Sequence, residues 1–235
     1  YGELSGKIVE DLVSGSRSLD GQQQKKSSLD FALWKSAKPE HIMKWSSPWG
    51  MGFPGWHLEC TAMSSKYLGV PFDIHGGGMD LQFPHHEGEI AQSQCAFHSE
   101  PANYWMHNNM LTIDGQKMAK SKGNFLTLDE LFSGEHELLE QAYSPMTIRF
   151  FTLQSHYGST IDFSNAALKA SEKGYKRLVN TLNTLNSLQF DQEGKFNAVL
   201  DKEINELIDA CYQHMSDDFN TARTIATMFD LSKKI

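Results

Sequence analysis

Residues 56–89 read WHLECTAMSSKYLGVPFDIHGGGMDLQFPHHEGE, and this stretch decides the fold because helical and strand patterns alternate along it. Trp56, Cys60, Met63 and Tyr67 recur at helical spacing, which predicts a helix over Trp56 to Leu68. VPFDIH is then apolar at Val70, Phe72 and Ile74, the alternation of a short strand, and Gly76, Gly77 and Gly78 follow it. Pro84 suits the first turn of a helix, where no amide hydrogen is needed, so HHEGEIAQSQCAF is expected to run helically to about His98. Helix, strand and helix in succession predict an α/β fold.

The same residues carry candidate chemistry. His85 and Glu89 are four apart and share a helix face; His86 and Glu89, three apart, share one almost as well, so spacing does not choose between the histidines. With Cys60 on the earlier helix, a thiolate, an imidazole and a carboxylate would suit zinc, which accepts S, N and O donors. That supplies three ligands and leaves a fourth missing. The plainer alternative is a buried free cysteine beside a surface His-Glu pair. Three glycines between a strand and a helix allow the close backbone approach of nucleotide-binding turns, and an ordinary strand-to-helix turn would use the same residues. Asp80 is placed either to accept from a ribose hydroxyl or to cap a helix.

Working outward, the 235 residues allow one large or two modest domains with a core that needs no staples. A hydrophobic share of 40% with 21% charged residues belongs to globular proteins. Cys60, Cys95 and Cys211 form an odd, sparse set that fits a reducing compartment better than a disulfide framework. No apolar run approaches the roughly 20 residues of a membrane span, and no signal peptide is visible, so a cytoplasmic protein without a membrane partner is expected. The net charge of −8 gives no global case for nucleic acid; such a partner would need a local basic patch. A start at Tyr1 and an end in the helix-like LSKKI suggest a piece of a longer protein.

Upstream, residues 1–28 are polar and rich in Gly, Ser and Gln, the composition of a surface insertion or linker with little core. Trp34, Trp45, Trp49 and Trp56 then pack aromatics into a Gly- and Pro-interrupted segment. Downstream, an extended region reaches a turn at Asp114-Gly115, followed by QKMAKSKGN, whose Lys117, Lys120 and Lys122 in a Gly- and Ser-bearing loop suit polyphosphate. Thr127 and Glu130 form a capping box, and Ser144-Pro145 starts another helix. From Ser164 the pattern is helical, with one stripe at Tyr175, Leu178, Leu182 and Leu185 and another at Ile204, Leu207, Ile208, Cys211, Tyr212 and Met215, as in an antiparallel bundle. Lys169, Lys173, Lys176 and Arg177 share a flank of the first of these helices with only Glu172 nearby. Such a flank faces either a nucleic-acid backbone or plain solvent.

Taken in order, PGWHLECTAMS, FDIHGGGMDLQFPHHEGEIAQS, NYWMHNNMLTIDGQKMAKSKGNF and MSDDFNTA closely resemble the cysteinyl-tRNA synthetases, class I aminoacyl-tRNA synthetases, over nearly the whole chain. The resemblance implies a zinc held by Cys60, His85 and Glu89; the family's fourth ligand, a cysteine near the start of the protein, has no counterpart before Leu29. It implies that Lys117 to Ser121 is the KMSKS loop with Ala119 in place of the middle serine, and that Lys117 and Lys120 are catalytic. The HIGH tetrapeptide is absent, and His75 to Gly78 match the family's later HGGG element instead. The implied fold is the second half of a class I Rossmann-type nucleotide-binding domain followed by an α-helical bundle: residues 1–47 as the end of the connective insertion, 48–163 as the catalytic half, and 164–235 as the stem-contact helices. The implied activity is ATP-dependent activation of cysteine, with magnesium, and its transfer to tRNA(Cys). Trp56 and His75 would wall the cysteine, and His75, Gly76, Gly77, Gly78, Asp80 and Lys120 would bind ATP or adenylate. Two alternatives are a paralogous ligase that passes cysteine to an amino sugar, and a non-catalytic zinc- or RNA-binding fragment separated from its HIGH half.

Overall fold

In the computed structural model, which describes residues 2–8, 25–27, 29–189 and 194–235, the alternating apolar pattern after Val70 becomes strand β3. Two short strands precede it, β1 (Trp34–Ser36) and β2 (Gly52–Pro54), paired antiparallel with Trp34 opposite Pro54. Helix α1 (Trp56–Tyr67) follows, then β3 (Phe72–Gly78), helix α2 (Glu87–Phe97) and β4 (Ala102–Asn108). β3 and β4 pair in parallel, from Phe72 opposite Ala102 to Gly78 opposite Asn108, with α2 as the crossover. The glycine run is therefore not a turn. Gly76, Gly77 and Gly78 continue the ladder because Met106, His107 and Asn108 lie opposite them on β4.

Phe83 is extended, with φ −132° and ψ 134°, as expected of a residue pressed away from helical geometry by a following proline. Helical turns resume at Pro84 and end where His98, at φ 54°, closes α2 in a left-handed cap. A buried hydrogen bond of 2.6 Å from Thr61 Oγ1 to Gln92 Oε1 joins α1 to α2. Residues 9–24 and 28 of the polar N-terminal segment lie outside the described residues, but residues 2–5 do not behave as a loose linker. They hydrogen-bond to Glu87 at the start of α2.

The chain divides into two compact units, Tyr1–Asn108 and Asn109–Ile235. The second opens with strands β5 (Leu111–Ile113) and β6 (Gln116–Lys117), turned through Asp114 and Gly115, whose φ values of 49° and 74° are those of a two-residue hairpin turn. β7 (Ile161–Phe163) runs parallel to β5, and Asp162 Oδ1 pins the hairpin by accepting from Thr112 Oγ1 at 2.6 Å and the Gly115 amide at 2.8 Å. The predicted capping box at Thr127 and Glu130 opens helix α3 (Leu128–Ser133), and Ser144 caps α4 (Pro145–Leu153). Their apolar sides meet in a core of Ile113, Leu126, Leu131, Tyr143, Ile148, Phe151, Phe163 and Leu168.

Helices α5 (Asn165–Ser187), α6 (Ala198–Ser216) and α7 (Thr221–Leu231) complete this unit. The first predicted stripe is only partly a seam: Tyr175 packs on Phe150, whereas Leu182 is 55% exposed and Leu185 45% exposed. The second stripe likewise leaves Tyr212 exposed. The basic flank of α5 makes contacts within the chain while Lys173, Lys176 and Arg177 stay exposed. Lys169 pairs with Glu140, Lys176 with Glu172 at 2.8 Å, and Arg177 lies 5.6 Å from the Phe229 ring. Glu140 sits 29 residues from Lys169, so helix spacing could not reveal it. The DDFN segment makes the α6–α7 turn with Asp218 and Phe219 both left-handed, held by Tyr157 Oη donating to Asp218 Oδ1 at 2.6 Å. Among the described residues no helix is long and apolar enough to cross a membrane.

The cap at Ser144 gives a direct test of how this core is fastened. Its Oγ accepts from the Thr147 amide at 3.1 Å, and Thr147 is fully buried, so no water replaces the lost partner. Ser144→Ala is expected to cost about 1–2 kcal/mol, seen as a lower midpoint of denaturant unfolding for the second unit's circular-dichroism signal.

Candidate functional site

The first unit buries an unusual number of polar groups. His85, His86, Glu87, Glu89, Gln92 and Ser93 are all buried on or just before α2, among few apolar residues. At their centre is Glu89, 1% exposed. Its Oε2 lies 2.9 Å from His75 Nε2 at the centre of β3. Its Oε1 lies 3.0 Å from His85 Nε2 but without hydrogen-bond geometry, and it is a buried oxygen with no hydrogen-bond partner among the described residues. Cys60 reaches in from α1, and the donor atoms of Cys60, His85 and Glu89 all lie within 4.8 Å of one another.

Around these three stands a shell of rings. His57 Nδ1 and His85 Nδ1 are 2.8 Å apart, so one of them carries the proton between them. His86 Nδ1 and His107 Nε2 are likewise 2.8 Å apart. Trp56 tilts over His85 with centroids 4.2 Å apart, and Trp105 contacts both His75 and His86 at 4.8 and 5.0 Å. Burial pushes the basicity of His57, His85, His86 and His107 down, His86 to about 3 with further lowering by its histidine neighbours. Burial thus favours the uncharged form of these rings, the form in which imidazole binds a cation. Burial, and then Glu89 and Glu59, push the Cys60 thiol up to about 11.

A second set, His75, His86 and Glu89, also brings its donor atoms within 4.8 Å. In that set Glu89 offers the oxygen already hydrogen-bonded to His75, and His86 Nδ1 is already paired with His107. The two sets share Glu89, one through His85 and the other through His86.

The remaining candidates of this unit fall into two groups. At Gly77 a Cβ would stand 2.8 Å from His86 Cε1, so this glycine makes room for a histidine ring; at Gly76 a Cβ would meet only Met106 O, at an ordinary contact distance of 3.6 Å. Asp80 does not cap a helix: the cap position is Gly78, and a Cβ there would meet Asp80 Oδ1 at 2.4 Å. Trp56 is 57% exposed while its ring contacts His85. Sequence reasoning missed His57 and His107. The signals were present: His57 sits three residues before Cys60 on one helix, and His107 sits two after Trp105 on one strand face.

In the second unit, the loop after β6 carries Lys117 and Lys120. Asn124 clasps it, with Oδ1 accepting from the Ala119 amide at 2.9 Å and Nδ2 donating to Lys117 O at 3.1 Å. Lys120 to Lys122 form one 3-10 turn ending at Gly123, left-handed at φ 69°. Lys117 and Lys120 are exposed, and Lys120 Nζ lies 5.2 Å from the Phe125 ring centroid. The clasp fixes the loop backbone while leaving the ammonium groups available to an anion.

Comparison with known proteins places these parts. Residues 1–173 match the family described as tRNA synthetases class I (C) catalytic domain, and residues 210–235 match the DALR domain. A protein of Cytophaga hutchinsonii named cysteine--tRNA ligase is 68% identical over 236 residues, covering 100% of this chain and 48% of that protein. One of Porphyromonas gingivalis with the same name is 56% identical, covering 100% of this chain and 47% of its own length. The chain thus spans about half the length of the curated relatives it matches. Among solved structures, the LeuRS chain of the Agrobacterium radiobacter K84 ternary complex with tRNA and LeuAMS superposes with a TM-score of 0.56 at 15% identity, over 82% of this chain and 29% of that one, a likeness of fold. With its parallel βαβ core and a family match across residues 1–173, the chain belongs to the class I (C) tRNA synthetase catalytic-domain family.

Proposed function

We propose that the full-length protein to which this chain contributes is a cysteine-tRNA ligase that activates cysteine with ATP and transfers it to tRNA(Cys). The observation that carries this reading is the convergence of Cys60, His85 and Glu89 on one buried spot, where a Glu89 carboxylate oxygen has no hydrogen-bond partner among the described residues. Such an oxygen costs free energy unless a cation or proton meets it. An S, N and O donor set of this kind fits zinc. The names of the relatives from Cytophaga hutchinsonii and Porphyromonas gingivalis support the substrate assignment. When bound, zinc supplies a soft acceptor that takes a cysteine thiolate and discriminates against the harder hydroxyl of serine.

The reaction needs no side-chain base. The cysteine carboxylate, already ionised, attacks the α-phosphorus of ATP; a carboxyl oxygen–phosphorus bond forms, the bond to the bridging oxygen breaks, and pyrophosphate leaves with its magnesium. The terminal ribose hydroxyl of tRNA then attacks the carbonyl carbon; the ester bond forms, the mixed-anhydride bond between that carbon and the phosphate oxygen breaks, and the hydroxyl proton passes to the phosphate of the departing AMP. In this reading Trp56 and His75 wall the cysteine, with His75 oriented by its bond to Glu89. His75, Gly76, Gly77, Gly78 and Asp80 lie along the adenylate. Lys117 and Lys120 stabilise the charge that develops on pyrophosphate. Residues 1–47 belong to the connective insertion, 48–163 to the catalytic half and 164–235 to the stem-contact helices. The engagement of Lys169, Lys176 and Arg177 within the chain leaves tRNA contact by the α5 flank without structural support.

Zinc content of the full-length protein, purified without chelators, is expected to fall at least tenfold in Cys60→Ala and in His85→Ala and to change less in His86→Ala. Zinc lost in His86→Ala but kept in His85→Ala would transfer the ligand role to the second histidine. Lys120→Ala is expected to slow pre-steady-state formation of cysteinyl-adenylate roughly 100-fold, about 3 kcal/mol. Cysteine affinity and transfer from preformed adenylate should be nearly unchanged, because pyrophosphate charge develops only during activation. A Lys120→Ala protein that activates cysteine normally and fails in transfer would remove the lysine from the role assigned to it.

A further inference from the structure

Glu87 is a buried carboxylate that none of the steps above uses. It is the first residue of α2, between His85 and Glu89 in sequence, and it is 3% exposed. A negative charge at a helix N-terminus is favoured by the unpaired amides there. That explains its tolerance but not its partners, which belong to a segment more than 80 residues away. Glu87 Oε2 accepts from the Gly2 amide at 2.6 Å, and Oε1 accepts from the Ser5 amide at 2.9 Å and from Ser5 Oγ.

The segment is shaped for this contact. Gly2 is left-handed at φ 94°, and a Cβ there would stand 2.6 Å from Lys7 O, so a side chain is excluded on both counts. The Gly6 amide closes the turn on Gly2 O at 2.9 Å. Two further contacts seat the turn on the residues just before α2: Gln82 Nε2 donates to Leu4 O at 2.7 Å, and Lys7 Nζ lies 4.9 Å from the Phe83 ring centroid.

We propose that Glu87 is a positioning residue for the candidate metal centre: its carboxylate fastens the Gly2–Ser5 turn to the start of α2, so that docking of this turn and cation binding by His85 and Glu89 favour one another. The inference rests on the metal reading given above. Its physical basis is that His85, Glu87 and Glu89 lie two residues apart on one continuous helical stretch, so an arrangement that fixes the backbone at Glu87 also restrains the ligands on either side. Groups that orient metal ligands through the element carrying them typically change metal affinity by about 10- to 100-fold. Because the two events share one helix, their coupling must be reciprocal: zinc should stabilise the docked turn by the factor by which the docked turn strengthens zinc binding.

The test uses the full-length protein and zinc itself. Glu87→Gln keeps the size of the side chain and turns one acceptor oxygen into a donor facing donors, and zinc competition against a chromophoric chelator is expected to show binding at least tenfold weaker. Ser5→Ala, which alters no residue of the helix and none of the ligands, is expected to weaken zinc several-fold in the same direction, and it carries the test if Glu87→Gln does not fold. In the wild-type protein, zinc should slow hydrogen exchange of the Gly2 and Ser5 amides. Wild-type zinc affinity in Ser5→Ala together with Glu87→Gln would overturn this inference and leave the metal reading standing, as would exchange at Gly2 and Ser5 that zinc does not alter. A wild-type protein that binds no zinc would overturn both.

Discussion

The first unit depends on the carboxylate of Glu89. A charge that is 1% exposed must be met by hydrogen bonds, by a cation or by a proton, since desolvation alone costs several kcal/mol. One oxygen is met by His75 from β3; the other faces His85 and Cys60 without a hydrogen bond. A hydrophobic interior would have stabilised these elements with less risk. The polar interior is instead explained if the unit is organised to hold something, and its glycines follow from that. Gly77 leaves room for His86, and Gly88, where a Cβ would stand 3.0 Å from His57 Cγ, leaves room for the ring that orients His85.

Much of this was legible in the sequence, and the limits were physical. Short-range signals carried over well: the helix at Trp56, the strand beginning at Phe72, the turn at Asp114-Gly115, the capping box at Thr127 and the cap at Ser144 each depend on residues a few positions apart. The glycine run was misassigned as a turn because the residues that make it a strand, Met106 to Asn108, lie 30 positions downstream. The same distance effect hid Glu140 from Lys169 and Ser5 from Glu87. Helical periodicity identified the α5 and α6 stripes but not how far they are covered, because burial depends on partners the stripe does not name.

The candidate site showed the same division. Spacing put His85 and His86 on an equal footing, and each has its Nδ1 paired with another ring, His57 or His107; the contact particular to His85 is its Nε2 lying 3.0 Å from Glu89 Oε1. The lysine loop was readable from composition, but its clasp by Asn124 was not, since nothing in a polar loop reveals which amide folds back. The resemblance to the cysteinyl-tRNA synthetases supplied the ligand set; the geometry supplies a reason for it.

The central claim, that Cys60, His85 and Glu89 form a zinc centre, is tested most directly by zinc X-ray absorption on the full-length protein. The account predicts a sulfur scatterer at about 2.3 Å together with nitrogen or oxygen scatterers near about 2.0–2.1 Å, with the sulfur contribution reduced in Cys60→Ala. A wild-type spectrum fitted by nitrogen and oxygen alone, or a sulfur contribution undiminished in Cys60→Ala, would contradict it.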